Sequence, residues 1–270
     1  MREIKVRTSQ RPRPLPTGRW AMTQRWNDLL FAHWRTPAPT IAPLLPEGLL
    51  PDTFEGSAWV GVIPLWMDRF NFRGLPTVPG MRNFPELHLR TYVRHQHTGT
   101  PGIFNFSVDI GSLMAATAVR FIFQMPCNWA EMRLNQRSER EFAFYSRRLF
   151  SRQPVIFSAR YRGLGPTRRL AEVRAGSLEY FLTERYCMFA RNRAGQAVRA
   201  NIHTVASPLE DAEAEIERND LLAASGISIP AQEPVLHYSR RLAVYVWPAE
   251  LAEPARSRRQ RIPAPAVPSI

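Results

Sequence analysis

Two runs of alternating side chains, joined by a short turn, constrain the fold of this chain more than any other feature. In ELHLRTYVRH (residues 86–95) the apolar face holds Leu87, Leu89 and Val93 with Thr91, and the opposite face holds Glu86, His88, Arg90, Tyr92 and Arg94. IFNFSVDI (residues 103–110) alternates in the same way after the turn HTGTPG. A period of two is that of a β-strand, so the pattern predicts an antiparallel hairpin.

The rest of the chain continues in short extended runs separated by turn residues. RWNDLLFAHWR, SAWVGVIPLWM, AEMRLNQRS, REFAFYSRR, QPVIFSARYRG, VRANIHTV and VLHYSRRLAVYVWP are all predicted strands. This spacing is typical of an all-β sandwich or barrel.

Three segments break the pattern and predict helices. TPAPTIAPLLPEG is expected to form one short helical turn, and SLMAATAVRFIFQM a longer helix with Ser112 as N-cap and Pro126 after its end. SPLEDAEAEIERNDLLAAS is expected to be a polar helix, because Ser207 suits the N-cap, Pro208 the first turn, and the acidic residues the positive end of the helix dipole.

We therefore predict a β-rich (α+β) fold, an antiparallel β-barrel with an internal cavity and two or three helical insertions. Residues 22–250 would form this single domain. Residues 1–21, basic and proline-rich, are expected to be a disordered arm, and residues 251–270, rich in proline and arginine, a disordered tail.

The net charge of +13 raises the question of nucleic-acid binding. Of the 36 basic residues, Lys5 is the single lysine, a ratio typical of GC-rich coding bias, and the arginines are spread along the chain. Because no nucleic-acid-binding motif accompanies them, we expect a solvated basic surface. No apolar run is long enough for a membrane helix or a signal peptide, and a cytoplasmic location is expected.

The two cysteines, Cys127 and Cys187, show no metal-ligand or disulfide spacing, and His33, His95 and His97 show none either. We expect no metal and no cofactor. The sequence leaves open whether identical copies assemble.

Adjacent charges in LEYFLTERYCMFA (residues 178–190) need an explanation. Glu184 and Arg185 lie among aromatic and aliphatic residues, where an unpaired charge costs several kcal/mol. Either they face a polar cavity or they form an internal salt bridge. In a regular strand neighbours face opposite sides, so one of the two would point outward unless a bulge intervened.

Several stretches together resemble the YqjF-like family of bacterial proteins, which is similar in fold to acetoacetate decarboxylase. They are WNDLLFAHWRTP, LLPEGLLPDTFEGSAWVGVIPLWM, GLPTVPGMRNFPELHLRTYV and LEYFLTERYCMFA. The resemblance covers residues 22–247 and implies an acetoacetate-decarboxylase-like barrel.

The decarboxylase resemblance also implies where catalytic groups would fall. Those enzymes form a Schiff base on a lysine of a pair that follows a proline, with an arginine six residues before the proline. Arg120 and Pro126 keep this spacing, but Cys127 and Asn128 occupy the lysine positions. Glu86 matches one of the family's two glutamates, and no carboxylate lies near Val62 or Ile63 for the other. Since neither Cys nor Asn forms an imine, decarboxylation by that route is predicted absent.

The candidate ligand-binding residues are Glu86, Arg90, Arg120, Cys127, Asn128, Glu184, Arg185 and His203. Several have alternatives. Glu86 and Arg90 could form a solvent-facing or cross-strand ion pair, and Arg120 could be the buried partner of Glu86 or Glu184. Cys127 could line the cavity, act as a nucleophile with His203, or be a core residue, and His203 could be a structural histidine. Four tryptophans are either cavity wall or core: Trp26, Trp34, Trp59 and Trp66.

Three functions remain open. The first is binding of a small polar or aromatic molecule in the cavity. The second is acid–base catalysis by Glu86 or Glu184 with His203. The third is association with nucleic acid through the arginines.

Overall fold

The computed structural model describes residues 11–76, 79–166, 175–204 and 209–252. Within them the chain forms thirteen β-strands, four α-helices and one 3-10 helix at Ala42–Leu44. The strands are β1 (Met22–Thr36), β2 (Leu49–Pro51), β3 (Ala58–Phe72), β4 (Phe84–His95), β5 (Pro101–Ile110), β6 (Cys127–Gln136), β7 (Glu141–Arg148), β8 (Ile156–Gly163), β9 (Cys187–Arg191), β10 (Ala197–Thr204), β11 (Glu210–Asn219), β12 (Val235–Val246) and β13 (Glu250–Leu251). The helices are α1 (Ala38–Ile41), α2 (Leu113–Ile122), α3 (Leu178–Thr183) and α4 (Leu221–Ala224).

The strands close into two rings that share one wall. The smaller ring has seven strands in the order β5, β9, β10, β12, β1, β3 and β4. The larger ring has nine, in which β6, β7, β8 and β11 run from β5 to β12. The predicted antiparallel barrel is right for most pairings, but the sheet is mixed because β5 runs parallel to both β6 and β9.

Each ring encloses its own hydrophobic core. Met22, Phe31, Ile63, Ile110 and Val244 belong to the core of the smaller ring. The core of the larger ring is formed by Leu30, Val62, Leu89, Phe144 and Phe157. The shared strands are therefore buried on both faces, which explains the nearly continuous apolar run in the first half of β3.

The predicted hairpin is present as β4 and β5, with Leu87 opposite Asp109 and Val93 opposite Gly102. The predicted long helix is α2, and the Ser112 hydroxyl caps it by accepting from the Ala115 amide. The turn predicted after Thr36 is α1 with the 3-10 helix. With α3 and α4, the helices of the described residues number four rather than two or three.

The predicted polar helix at the acidic segment is wrong, because this segment is strand β11 followed by the four-residue α4. Along β11 the apolar Ala212, Ala214 and Ile216 point inward. The acidic side chains alternate with them and pair with arginines of β8, as Glu213 does with Arg162 and Glu215 with Arg160. The proposed caps Ser207 and Pro208 lie outside the described residues.

Part of the predicted N-terminal arm is described and lies against the barrel. The Arg11 guanidinium donates to the Ile202 carbonyl at 2.9 Å, and the Trp20 ring packs edge-on against Tyr245. Residues 1–10 and 253–270 lie outside the described residues, so disorder at both ends stays a prediction there.

Candidate functional site

The polar face of β4 lies inside the smaller ring. Glu86, His88, Arg90 and Tyr92 are 3, 5, 5 and 0% exposed, respectively. The surface ion pair considered for Glu86 and Arg90 is therefore wrong, because neither side chain faces solvent. An alternating strand has a polar face toward solvent when the sheet covers one core, but this wall separates two cores.

Glu86 pairs with His88 rather than with Arg90. The Glu86 Oε2 and His88 Nε2 atoms are 2.8 Å apart, and the Trp26 indole contacts the imidazole edge-on. Within the described residues His88 Nδ1 has no hydrogen-bond partner. Both side chains line a pocket with about 490 Å³ of empty space, including space open to solvent. A carboxylate hydrogen-bonded to an imidazole at a pocket wall has the geometry of an acid–base pair.

Arg90 is a buried cation without an acidic partner among the described residues. Its Nη2 atom lies 3.4 Å from the Tyr92 hydroxyl, and its Nε has no partner in the same part of the chain. The guanidinium carbon lies 5.6 Å from the ring centre of Phe31. No carboxylate of the described chain lies within 4.0 Å of it. A buried charge is normally paired, and within the described residues Arg90 is an exception.

Arg90 lines a second pocket of the smaller ring, with about 470 Å³ of empty space, including space open to solvent. Trp26 and Ile202 border both pockets, so the two adjoin each other. The wall of the second pocket includes Thr183, Glu184, Arg185 and Thr204.

His33 shares the Tyr92 hydroxyl with Arg90. The Tyr92 hydroxyl donates to the Leu182 carbonyl at 2.8 Å, so its oxygen accepts from His33 Nε2 at 2.7 Å. This arrangement assigns the neutral Nε2–H tautomer to His33. Burial, and next the charge of Arg90, lower the pKa of His33 well below its ordinary value.

The adjacent charges Glu184 and Arg185 are both buried. They lie in the turn between α3 and β9, and neighbouring side chains in a turn do not have to face opposite sides as they do in a strand. They do not pair with each other. Arg185 Nη1 binds Asp52 Oδ2 at 2.6 Å, and its Nε donates to the Phe181 carbonyl at 2.7 Å. The internal salt bridge considered for Arg185 is thus present, with a partner that sequence reasoning missed.

Glu184 accepts a hydrogen bond from the Tyr186 hydroxyl. Burial raises the pKa of Glu184, and the charge of Arg11 opposes this shift. Arg11 also lies over the Tyr186 ring, 4.2 Å from its centre. Arg11, Glu184 and Tyr186 thus form one cluster, of which Glu184 lines the second pocket.

His203 belongs to this cluster and not to the Glu86 site. The residue is fully buried, its ring stacks on Tyr186, and its Nδ1 lies 3.1 Å from Arg11 Nη1. The histidine beside Glu86 is instead His88. Sequence reasoning passed over His88, although its spacing of two from Glu86 was visible.

The three remaining candidates line a groove beside β5 and α2: Arg120, Cys127 and Asn128. Arg120 is exposed on α2 and needs no buried partner. Asn128 donates to Asp109 at 2.9 Å. Cys127 begins β6 and is buried, and burial, followed by the negative charge of Glu86, raises the pKa of its thiol well above the ordinary value. A neutral buried thiol is a poor nucleophile.

Among the tryptophans, Trp26 lines both pockets of the smaller ring. Trp34 and Trp59 are core residues, and Trp66 is partly buried. Across the described residues no group of three or more His, Cys, Asp or Glu side chains is arranged to hold a metal ion. In the same residues no helix combines the length and apolar character that crossing a bilayer requires.

Solved acetoacetate-decarboxylase-like proteins are similar in fold to this chain. The enduracididine biosynthesis enzyme MppR, solved in complex with pyruvate, superposes with a TM-score of 0.60 over 87% of this chain and 91% of its own, at 10% identity. Acetoacetate decarboxylase from Legionella pneumophila superposes with a TM-score of 0.57 over 92% of this chain and 94% of its own, at 15% identity. At such identities the likeness shows the fold alone.

The chain belongs to the DUF2071 family, described as an uncharacterized conserved protein, whose sequence profile matches residues 23–243. YqjF from Bacillus subtilis (strain 168) is 36% identical over 242 residues, which are 90% of this chain and 97% of YqjF. The resemblance to YqjF-like proteins and to the decarboxylase fold is thus confirmed.

Proposed function

We propose that this chain binds a small carboxylate-bearing molecule inside the smaller ring, with Arg90 as the counter-charge. The observation that carries the proposal is the buried Arg90 guanidinium, which lines a pocket and has no carboxylate partner among the described residues. An ionised ligand group would make the charge-assisted hydrogen bonds that the chain itself does not supply.

In this proposal the two adjoining pockets are the internal cavity expected from the sequence. Trp26 and Phe31 give apolar walls, Arg90 holds the carboxylate, and Glu86 with His88 borders the other end of the ligand. A narrow site of this kind suits a ligand of a few heavy atoms. The complex of MppR with pyruvate supports this ligand class, since that protein shares the fold.

A second candidate function is acid–base catalysis on the same ligand. The hydrogen bond of 2.8 Å between Glu86 and His88, with His88 Nδ1 left without a described partner, favours it. Bound next to this pair, a carbon acid or carbonyl could lose or gain a proton. Schiff-base chemistry is not part of the proposal, because the sole lysine, Lys5, precedes the barrel and a neutral Cys127 with Asn128 follows Pro126.

The test is isothermal titration calorimetry of the full chain with pyruvate, acetate and benzoate. Arg90→Met should weaken binding of each bound acid about tenfold or more, since it removes a charge-assisted contact. The matched control, Arg137→Met, removes an exposed arginine next to β6 and should leave affinity unchanged. Unchanged affinity in Arg90→Met, or no binding of any of the three acids, would contradict the proposal.

Turnover would be sought separately by following solvent deuterium incorporation into bound pyruvate by proton NMR. Exchange that is lost in Glu86→Gln while calorimetric affinity is retained supports catalysis. If the wild type binds pyruvate but incorporates no deuterium into it, the binding function stands and the catalytic function is contradicted.

A further inference from the structure

The wall of the smaller ring opens along β5. Ile103 and Phe104 pair with β9, whereas Val108, Asp109 and Ile110 pair with β6. Between them, residues 105–107 have no strand partner on the edge opposite β4 within the described chain. A groove with about 1020 Å³ of empty space, including space open to solvent, lies over this edge.

Three arginines from three elements reach this groove: Arg120 of α2, Arg148 of β7 and Arg191 of β9. Arg148 is neutralised by Asp109, with contacts of 2.9 to 3.2 Å. Arg191 donates to the Leu44 carbonyl at 2.8 Å, and Arg120 makes no hydrogen bond or ion pair with the described residues. None of the described residues that line the groove is acidic, so two positive charges face it without a counter-charge there.

A buried amide borders the same groove. Asn105 is 0% exposed, and neither its Nδ2 nor its Oδ1 has a hydrogen-bond partner in the described part of the chain. A buried amide with both groups unpaired costs stability, unless a bound molecule or water supplies a donor and an acceptor. Because the unpaired Asn105 amide lies next to two arginines that have no counter-charge in the groove, the geometry points to a bound ligand.

We propose that the groove over residues 105–107 is a second binding site, for a small molecule that carries a carboxylate or a phosphate. Arg120 and Arg191 bind the anionic group. Asn105 takes a neighbouring part of the ligand that offers both a hydrogen-bond donor and an acceptor. Neither Arg120 nor Arg191 lines the two pockets of the smaller ring, although Asn105 stands opposite Arg90 in the register of β4 and β5.

The experiment is calorimetric titration of the full chain with inorganic phosphate and, separately, with citrate. Arg120→Gln and Arg191→Gln should each weaken binding about tenfold. The control Arg137→Gln removes an exposed arginine beyond the far end of β6, about 30 Å of strand from Cys127, and should change nothing. Equal weakening in all three variants would mean diffuse attraction to a basic surface and would overturn the proposal, as would no binding of either anion at millimolar concentration.

Two more variants test the role of Asn105 and the location of the bound anion. Asn105→Leu should raise the melting temperature of the free chain and weaken phosphate or citrate binding, because it removes the unpaired amide. A lower melting temperature with unchanged affinity would make Asn105 structural and contradict its role in binding. Arg90→Met leaves Arg120 and Arg191 in place, so most of the affinity for the anion should remain, and loss of binding in this variant would place the anion in the smaller ring instead.

Discussion

Arg90 and Arg185 line the same pocket and are both buried, but Arg185 binds Asp52 at 2.6 Å whereas no carboxylate of the described chain lies within 4.0 Å of Arg90. One arginine is thus part of the framework, and the other is a charge that the framework leaves uncompensated. This difference is the physical basis for assigning a ligand to Arg90.

Replacing each of the two arginines by methionine should have different effects on the free energy of unfolding. Arg185→Met leaves Asp52 with Arg94 as its remaining arginine partner, and we expect the free energy of unfolding to fall by about 3 kcal/mol. Arg90→Met removes an unpaired buried charge, so the ligand-free chain should be unchanged or up to about 2 kcal/mol more stable. Urea denaturation of both variants measures these values. A loss in Arg90→Met as large as in Arg185→Met would show that Arg90 is structural.

His33 should make the free energy of unfolding depend on pH. Because burial and Arg90 lower its folded pKa, its contribution is complete above the ordinary value of 6.5 and is lost as the pH falls below it. Between about one unit above and one unit below 6.5, the loss from this residue should be about 1.4 kcal/mol.

Urea denaturation at the two pH values, with His33→Gln and the exposed His97→Gln as a control, isolates that contribution. His33→Gln should show the smaller loss of stability on acidification, and His97→Gln should behave as the wild type. The same acid-side loss in His33→Gln as in the wild type would contradict the assigned neutral state.

Neither cysteine should react while the chain is folded. Both thiols are 2% exposed, and burial raises the pKa of Cys187 to about 12 and that of Cys127 well above the ordinary value. Ellman's reagent should therefore titrate no thiol in the native protein and both thiols in urea. Rapid modification of Cys127 in the folded chain would revive its interpretation as a nucleophile.

Two neighbouring side chains of β11 should contribute differently to the free energy of unfolding. Ile216 packs against the core of the larger ring, whereas Glu215 is exposed and pairs with Arg160. Ile216→Ala should lower the free energy of unfolding by about 1–2 kcal/mol, and Glu215→Ala by less than about 1 kcal/mol. Urea denaturation of both variants measures the two losses. A larger loss in Glu215→Ala than in Ile216→Ala would contradict an inward-facing Ile216.

Local patterns predicted the elements whose partners lie close in sequence. The hairpin of β4 and β5 and the capped helix α2 follow from alternation, a turn and a serine at the cap. The helix predicted for the acidic segment was wrong, although its composition and the Ser207–Pro208 pair at its start suit a helix. The deciding interactions are pairs with arginines of β8, about fifty residues away in the chain, which no local pattern contains.

The site was predictable in part. Glu86, Arg90, Glu184 and Arg185 were named from the sequence and line the pockets of the smaller ring. Their partners were not, since Asp52 is 133 residues from Arg185. Burial of the polar face of β4 also depends on a wall between two cores, a property of the whole sheet.

A crystal structure of the full chain grown with pyruvate tests the assignment of a ligand to Arg90 most directly. We predict electron density for pyruvate in the smaller ring, with its carboxylate within hydrogen-bonding distance of the Arg90 guanidinium and its keto group toward Glu86 and His88. Pyruvate bound only in the groove at Arg120 and Arg191, or absent from a smaller ring whose Arg90 remains unpaired, would contradict this assignment.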